Sequence, residues 1–136
     1  MAKDKLHEIV KRALIKDGWT ITHDPFFLNV KPKKQEIDLG AEKIIAAERG
    51  ADKIAVEVKS FLNKSHLYDF YEALGQYISY RIGLRLQESE RFLYLAIPDK
   101  VFESLGNYTT VPLTIEEERL KIVIFDPITE EIIKWL

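Results

Sequence analysis

Cysteine is absent from all 136 residues, which removes a disulfide framework, a thiolate zinc site and a cysteine nucleophile together. Glycine and proline are scarce, at six and five, and no Ser/Gly/Pro-rich stretch, repeat or low-complexity tract interrupts the chain. That pattern predicts one continuous domain over residues 1–136. Long apolar runs are missing as well. The longest, Phe92-Leu93-Tyr94-Leu95-Ala96-Ile97, falls far short of the roughly 20 residues a bilayer span requires. The start, Met1-Ala2-Lys3-Asp4-Lys5, leads into amphipathic sequence and not an apolar signal core, so the expectation is a cytoplasmic protein without membrane contact. Charge of one sign is not in excess: the net is −2, too little for coating nucleic acid by bulk charge.

What is present is ordinary globular material, 46% hydrophobic and 31% charged. The charge is uneven. Residues 1–64 hold 13 Lys/Arg and 10 Asp/Glu, and residues 65–136 hold 7 and 12. One basic face, drawn from the first half, is the expectation.

Periodicity supplies the elements. Leu6, Val10, Ala13 and Leu14 form one stripe over residues 4–17, with Gly18 as a stop, which predicts a helix. Trp19 to His23 alternates as a strand until Asp24-Pro25. Residues 35–60 suggest a hairpin turning at Gly50-Ala51-Asp52. Its second arm, Lys53–Lys59, is β-branched; its first, around 41–48, also suits a short helix, with strand favoured because of its partner. Ser65 is placed to cap a long helix to about Gln87, carrying Leu67, Phe70, Tyr71, Leu74, Tyr77 and Ile78 at helical spacing. Arg91–Ile97 reads as a buried strand. Asp99 to Leu105 and Pro112 to Arg119 read as short helices, Asp99 as a cap. Leu120–Phe125 and Ile132–Trp135 form a closing hairpin. This order predicts an α/β (α+β) fold, a mixed central sheet flanked by a helix on each face.

The residues that carry chemistry cluster on the central hairpin. In Ala55-Val56-Glu57-Val58-Lys59-Ser60, alternation sends Val56 and Val58 to one face and Glu57 and Lys59 to the other. Upstream, Glu36 and Asp38 share a face of their segment. If the segments pair, acids from two neighbouring strands meet beside a lysine, and a hard divalent cation relieves their repulsion. An ordinary charge cluster on a wet sheet face is the competing reading. On the long helix, Gln76 and Tyr80 are four apart and share a face, so an amide and a phenol can orient water or a phosphate oxygen. Glu8 sits beside His7 on the first helix. His7, His23 and His66 have no metal-ligand spacing and read as surface or cap residues. Tyr68, Tyr71, Phe102 and Trp135 suit core positions better than a partner surface.

On these residues the chain resembles the PD-(D/E)XK nuclease superfamily. More narrowly it resembles the XisH family of fdxN element excision controlling factors known from cyanobacteria. The likeness runs from the Lys-Leu-His-Glu start through Glu36-Ile37-Asp38-Leu39-Gly40-Ala41 and Val56-Glu57-Val58-Lys59-Ser60-Phe61 to Phe125-Asp126-Pro127. The resemblance implies a restriction-endonuclease-like αβββαβ core and a magnesium-dependent endonuclease, with manganese as the alternative ion. It implies metal ligation by Asp38, Glu57 and the Val58 carbonyl, and catalysis by Lys59 with Gln76 and Glu8. Gln76 and Tyr80 match the Gln-x-x-x-Tyr element of RecB-like members, and Ile37 departs from the proline of the superfamily pattern. Lys31, Lys33, Lys34 and Tyr80 are the expected DNA contacts. The implied partners are DNA, an XisI-like protein and a site-specific recombinase, with a homodimer as a further option. A non-catalytic docking factor on the same fold is the alternative.

Overall fold

The structure is a computed structural model that describes residues 2–30, 33–34 and 44–136. Helix α1 (Ala2–Lys16) is followed by β1 (Thr20–His23) and a small two-stranded sheet of β2 (Asn29–Val30) and β3 (Lys33–Lys34). Strands β4 (Ile44–Arg49) and β5 (Asp52–Val58) form the central hairpin, and α2 (His66–Gln87) follows. Then come β6 (Arg91–Pro98), α3 (Asp99–Leu105), α4 (Thr110–Glu117), β7 (Ile122–Asp126) and β8 (Glu131–Trp135). The main sheet has the order β1-β4-β5-β6-β7-β8. Its two central neighbours, β5/β6 and β6/β7, run parallel; the outer pairs are antiparallel. The architecture is therefore the expected mixed sheet flanked by helices.

Period-two alternation divides the sheet into two cores. Ile45, Ala47, Ile54, Val56 and Val58 pack with Ile9, Val10 and Leu14 of α1. Ile44, Ala46, Ala55, Leu93 and Leu95 pack with Phe70, Ala73, Tyr77, Tyr80 and Leu84 of α2. Because both faces are covered, β6 is a near-continuous apolar run, as a central parallel strand must be. The first hairpin arm is a strand from Ile44, since each of its residues pairs with β5, Ile44 with Glu57 through Arg49 with Asp52. Gly50 opens the two-residue turn at φ 61°, a conformation that favours glycine.

The helix ends follow local chemistry. Ser65 caps α2, its hydroxyl accepting from the Tyr68 N–H at 3.2 Å. Asp69, buried in the first turn, accepts from the backbone and side-chain amides of Asn63 at 3.1 and 2.6 Å, fastening the preceding loop to the helix. Asp99 is not the cap expected of it: Pro98 occupies that position and Asp99 is the first helical residue. Helix α4 begins two residues before Pro112, which a first turn tolerates because proline's missing N–H has no partner there. Tyr71, expected among the apolar positions of α2, is 49% exposed.

Candidate functional site

Strand β5 directs Ala55, Glu57 and Lys59 toward α2, as the alternation requires. Glu57 is fully buried and Lys59 is 6% exposed, so the wet-face alternative does not hold. The Lys59 ammonium donates to Oε1 of Glu72 at 2.6 Å. Glu72, Gln76 and Tyr80 are successive i, i+4 positions and form one row along α2. Gln76 is half-buried, and its Oε1 is a buried oxygen without a hydrogen-bond partner among the described residues. Tyr80 is 7% exposed and belongs to the α2 core, leaving little of its surface for a ligand. Beside them, Tyr77 donates to the Leu93 carbonyl at 2.9 Å and accepts from the Lys121 N–H at 3.0 Å. Burial pushes its phenol above the ordinary range, and the nearby Glu57 charge adds to that; the Lys121 N–H and Arg81 act the other way.

Between Lys59 and α2 the backbone takes a left-handed conformation. Phe61 is buried there at φ 53°, unusual for an aromatic residue. Glu36, Asp38 and Lys31 lie outside the described residues. Lys33 and Lys34 form β3, at the edge of the small sheet.

Glu8 lies elsewhere. On α1, against the opposite face of the sheet, His7, Glu8 and Asp24 bring one ligand atom each within 4.8 Å of one another. His7 is not a surface residue: it is 7% exposed, with Nε2 2.7 Å from Asp24 Oδ1. Lys11 donates to the other oxygen of Asp24 at 2.8 Å. Burial raises the Asp24 carboxyl, but the hydrogen bonds from Lys11 and His7 outweigh it and hold the group below the usual carboxylate range. Helical spacing carried this signal, because His7 falls three before Val10 and seven before Leu14, on the buried stripe. Glu72 was also missed; its signal was the Glu72, Gln76, Tyr80 row.

The aromatic residues divide. Phe102 and Trp135 pack against the cores. Tyr68 and Tyr71 do not: they are 72% and 49% exposed and meet edge-to-face at 6.2 Å. Of the first-half cations behind the expected basic face, Lys31 and Lys43 lie outside the described residues. Arg81, Arg85, Arg91, Arg119 and Lys121, five of the seven cations in the acidic second half, line one pocket.

The family model described as XisH protein matches residues 1–133. The chain belongs to the XisH family. It is similar to a solved XisH family protein from Nostoc punctiforme, with 42% identity, a TM-score of 0.89 and coverage of 98% of this chain and 99% of that one. It is equally similar to a solved fdxN element excision controlling factor protein from Anabaena variabilis, with 43% identity, a TM-score of 0.88 and coverage of 97% and 98%. No curated protein matches significantly. Among the described residues, no helix is long and apolar enough to cross a membrane.

Proposed function

We propose that this XisH-family chain is a magnesium-dependent DNA phosphodiesterase, or a close derivative of one. In this reading it acts as a controlling factor in the programmed excision of a DNA element by a site-specific recombinase. One relationship supports it above the others: Glu57 and Lys59 leave the same strand face toward α2, and Lys59 donates to Glu72, the first of the Glu72, Gln76, Tyr80 row. The superfamily likeness of Asp38, Glu57 and Lys59 adds to it.

The donor set fits a hard divalent cation. Glu57 and the Val58 carbonyl offer oxygen, and Gln76 Oε1 is a further buried oxygen in want of a donor. Asp38, Glu57 and the Val58 carbonyl would hold magnesium or manganese. Such an ion supplies positive charge against the charge that develops on phosphate. Lys59, oriented by Glu72, aligns the attacking water, and Gln76 accepts a hydrogen bond from it. Lys31, Lys33 and Lys34 contact backbone phosphates, which makes binding salt-dependent and nearly blind to sequence.

The test is direct. Purified protein with magnesium nicks or resolves DNA, and Lys59→Ala abolishes this while the far-UV spectrum and melting temperature hold. Cleavage unchanged in Lys59→Ala refutes the reading.

A docking role has its own support, the exposed Tyr68 and Tyr71 pair on the same helix as Glu72. In that case the partner is the recombinase or an XisI-like protein, or a second copy of this chain. Tyr68→Ala/Tyr71→Ala would then lose the partner, and no divalent-dependent cleavage would be seen.

A further inference from the structure

The pocket where the C-terminal part of α2 meets the start of β6 and β7 has about 240 Å³ of space. Its cations come from separate elements: Arg81 and Arg85 one turn apart on α2, Arg91 at the first position of β6, and Arg119 and Lys121 flanking the entry to β7. No acidic side chain lines it. In a chain of net charge −2, whose second half is the acidic one, that concentration has a chemical consequence.

Arg91 is accounted for. It is 4% exposed and spends its guanidinium on Glu88 at 2.9 Å, Glu48 at 3.3 Å and the Ile54 carbonyl at 3.0 Å, although its buried Nε has no partner among the described residues. The others are not neutralised. Arg81 donates to the carbonyls of Glu118 and Arg119 at 2.8 and 3.5 Å, which orients its guanidinium without cancelling its charge. Arg85, Arg119 and Lys121 have no carboxylate within ion-pair distance among the described residues. Lys121 instead points its ammonium to the α1 side of the sheet, 5.2 and 5.8 Å from the ring centres of Phe92 and Tyr94. The exposed Glu90, Glu117 and Glu118 are near in sequence but not in the pocket wall.

Several uncompensated cations around a small space call for more than one negative charge, which a phosphate monoester carries and a single carboxylate does not. Guanidinium groups suit its oxygens because their planar forks donate in pairs. The volume is below the roughly 300–1,000 Å³ of most ligand pockets, so the occupant is small.

We propose that this pocket binds the phosphate monoester of a single nucleotide through Arg81, Arg85 and Arg119. The nucleotide is either free or the 5′-phosphorylated end of a DNA strand. The site is distinct from Glu57 and Lys59 and does not depend on their role.

Calorimetric titration of the full chain tests it, with inorganic phosphate, deoxyadenosine, deoxyadenosine monophosphate, and one tetranucleotide carrying either a 5′-phosphate or a 5′-hydroxyl. The monophosphate and inorganic phosphate are bound, and the nucleoside is not. Arg85→Gln/Arg119→Gln weakens the monophosphate at least about tenfold at an unchanged melting temperature, whereas Lys59→Ala leaves it as in the wild type. A phosphorylated tetranucleotide tighter than the monophosphate identifies the strand end as the source; equal or weaker binding identifies the free nucleotide. The proposal is overturned if monophosphate binding is undetectable or unchanged in the arginine variant. It is also overturned if a short oligoglutamate binds as well as the monophosphate.

Discussion

Lys59, just past the end of β5, donates through its ammonium to Oε1 of Glu72 on the second turn of α2, at 2.6 Å. The two partners are unlike in solvent access: the lysine side chain is 7% exposed and the glutamate 57%. Water screens the pair from the glutamate side, so its contribution to stability is at most about 1 kcal/mol. It also sets direction, since the hydrogen bond orients an ammonium carried on a flexible four-carbon stem. Glu72→Gln is therefore expected to shift the melting temperature by no more than about 3 °C. Under the proposed chemistry it lowers kcat for DNA cleavage about tenfold or more, with KM little changed. A variant with full kcat would reduce Glu72 to a surface partner.

Tyr77 closes a gap between β6 and the entry to β7, giving its proton to the Leu93 carbonyl and taking one from the Lys121 N–H. Removing the hydroxyl leaves two backbone groups without a partner in a 1% exposed environment. Tyr77→Phe should cost about 2 kcal/mol in urea denaturation, with an unchanged m-value. A loss below about 0.5 kcal/mol would mean that water replaces the phenol.

The sheet was legible because alternation is a local property: Val56 and Val58 against Glu57 and Lys59 needs no knowledge of what lies above. Ser65 was legible for the same reason, since a cap depends only on the next turn. The arm at Ile44–Arg49 was ambiguous by periodicity, and its pairing with β5 decides it. Other features needed the third dimension. Glu72 looks like any exposed helical glutamate until β5 brings Lys59 to it. The pocket cations are spread over about 40 residues of sequence, and only the β5–α2–β6 and β6–α4–β7 crossovers gather them.

Asp24 links α1 to the segment after β1 through His7 and Lys11, and its pH dependence has a definite sign. Its folded pKa lies below the unfolded value of about 3.9, so its contribution is present above that value and lost as pH falls through the lowered one. Asp24→Asn should cost about 1 kcal/mol at pH 7 and little at pH 2.5. The gap between wild type and variant therefore closes below pH 4, as denaturant melts across pH would record. Glu130, lowered by Arg12, and Asp126, lowered by the Ile128 N–H, titrate in the same direction, so the variant keeps some acid sensitivity. A gap that stays constant to pH 2.5 would remove Asp24 from the acid response.

The proposed Glu57 site and the α1 group of His7, Glu8 and Asp24 can each attract a divalent cation, and stability separates them without any appeal to cleavage. A ligand that binds only the folded state raises stability by about 2.7 kcal/mol at a hundredfold excess over its Kd. Magnesium or manganese should thus raise the melting temperature of the wild type in a concentration-dependent way. Glu57→Gln keeps the shape of the fully buried side chain but removes the charge that draws the ion, so its melting temperature should not respond. His7→Gln affects only the α1 group of His7, Glu8 and Asp24, and its response should match the wild type. The reverse pattern, a response lost with His7 and kept without the Glu57 charge, would put the ion on α1. The nuclease reading would then have no cation where Lys59 could use it.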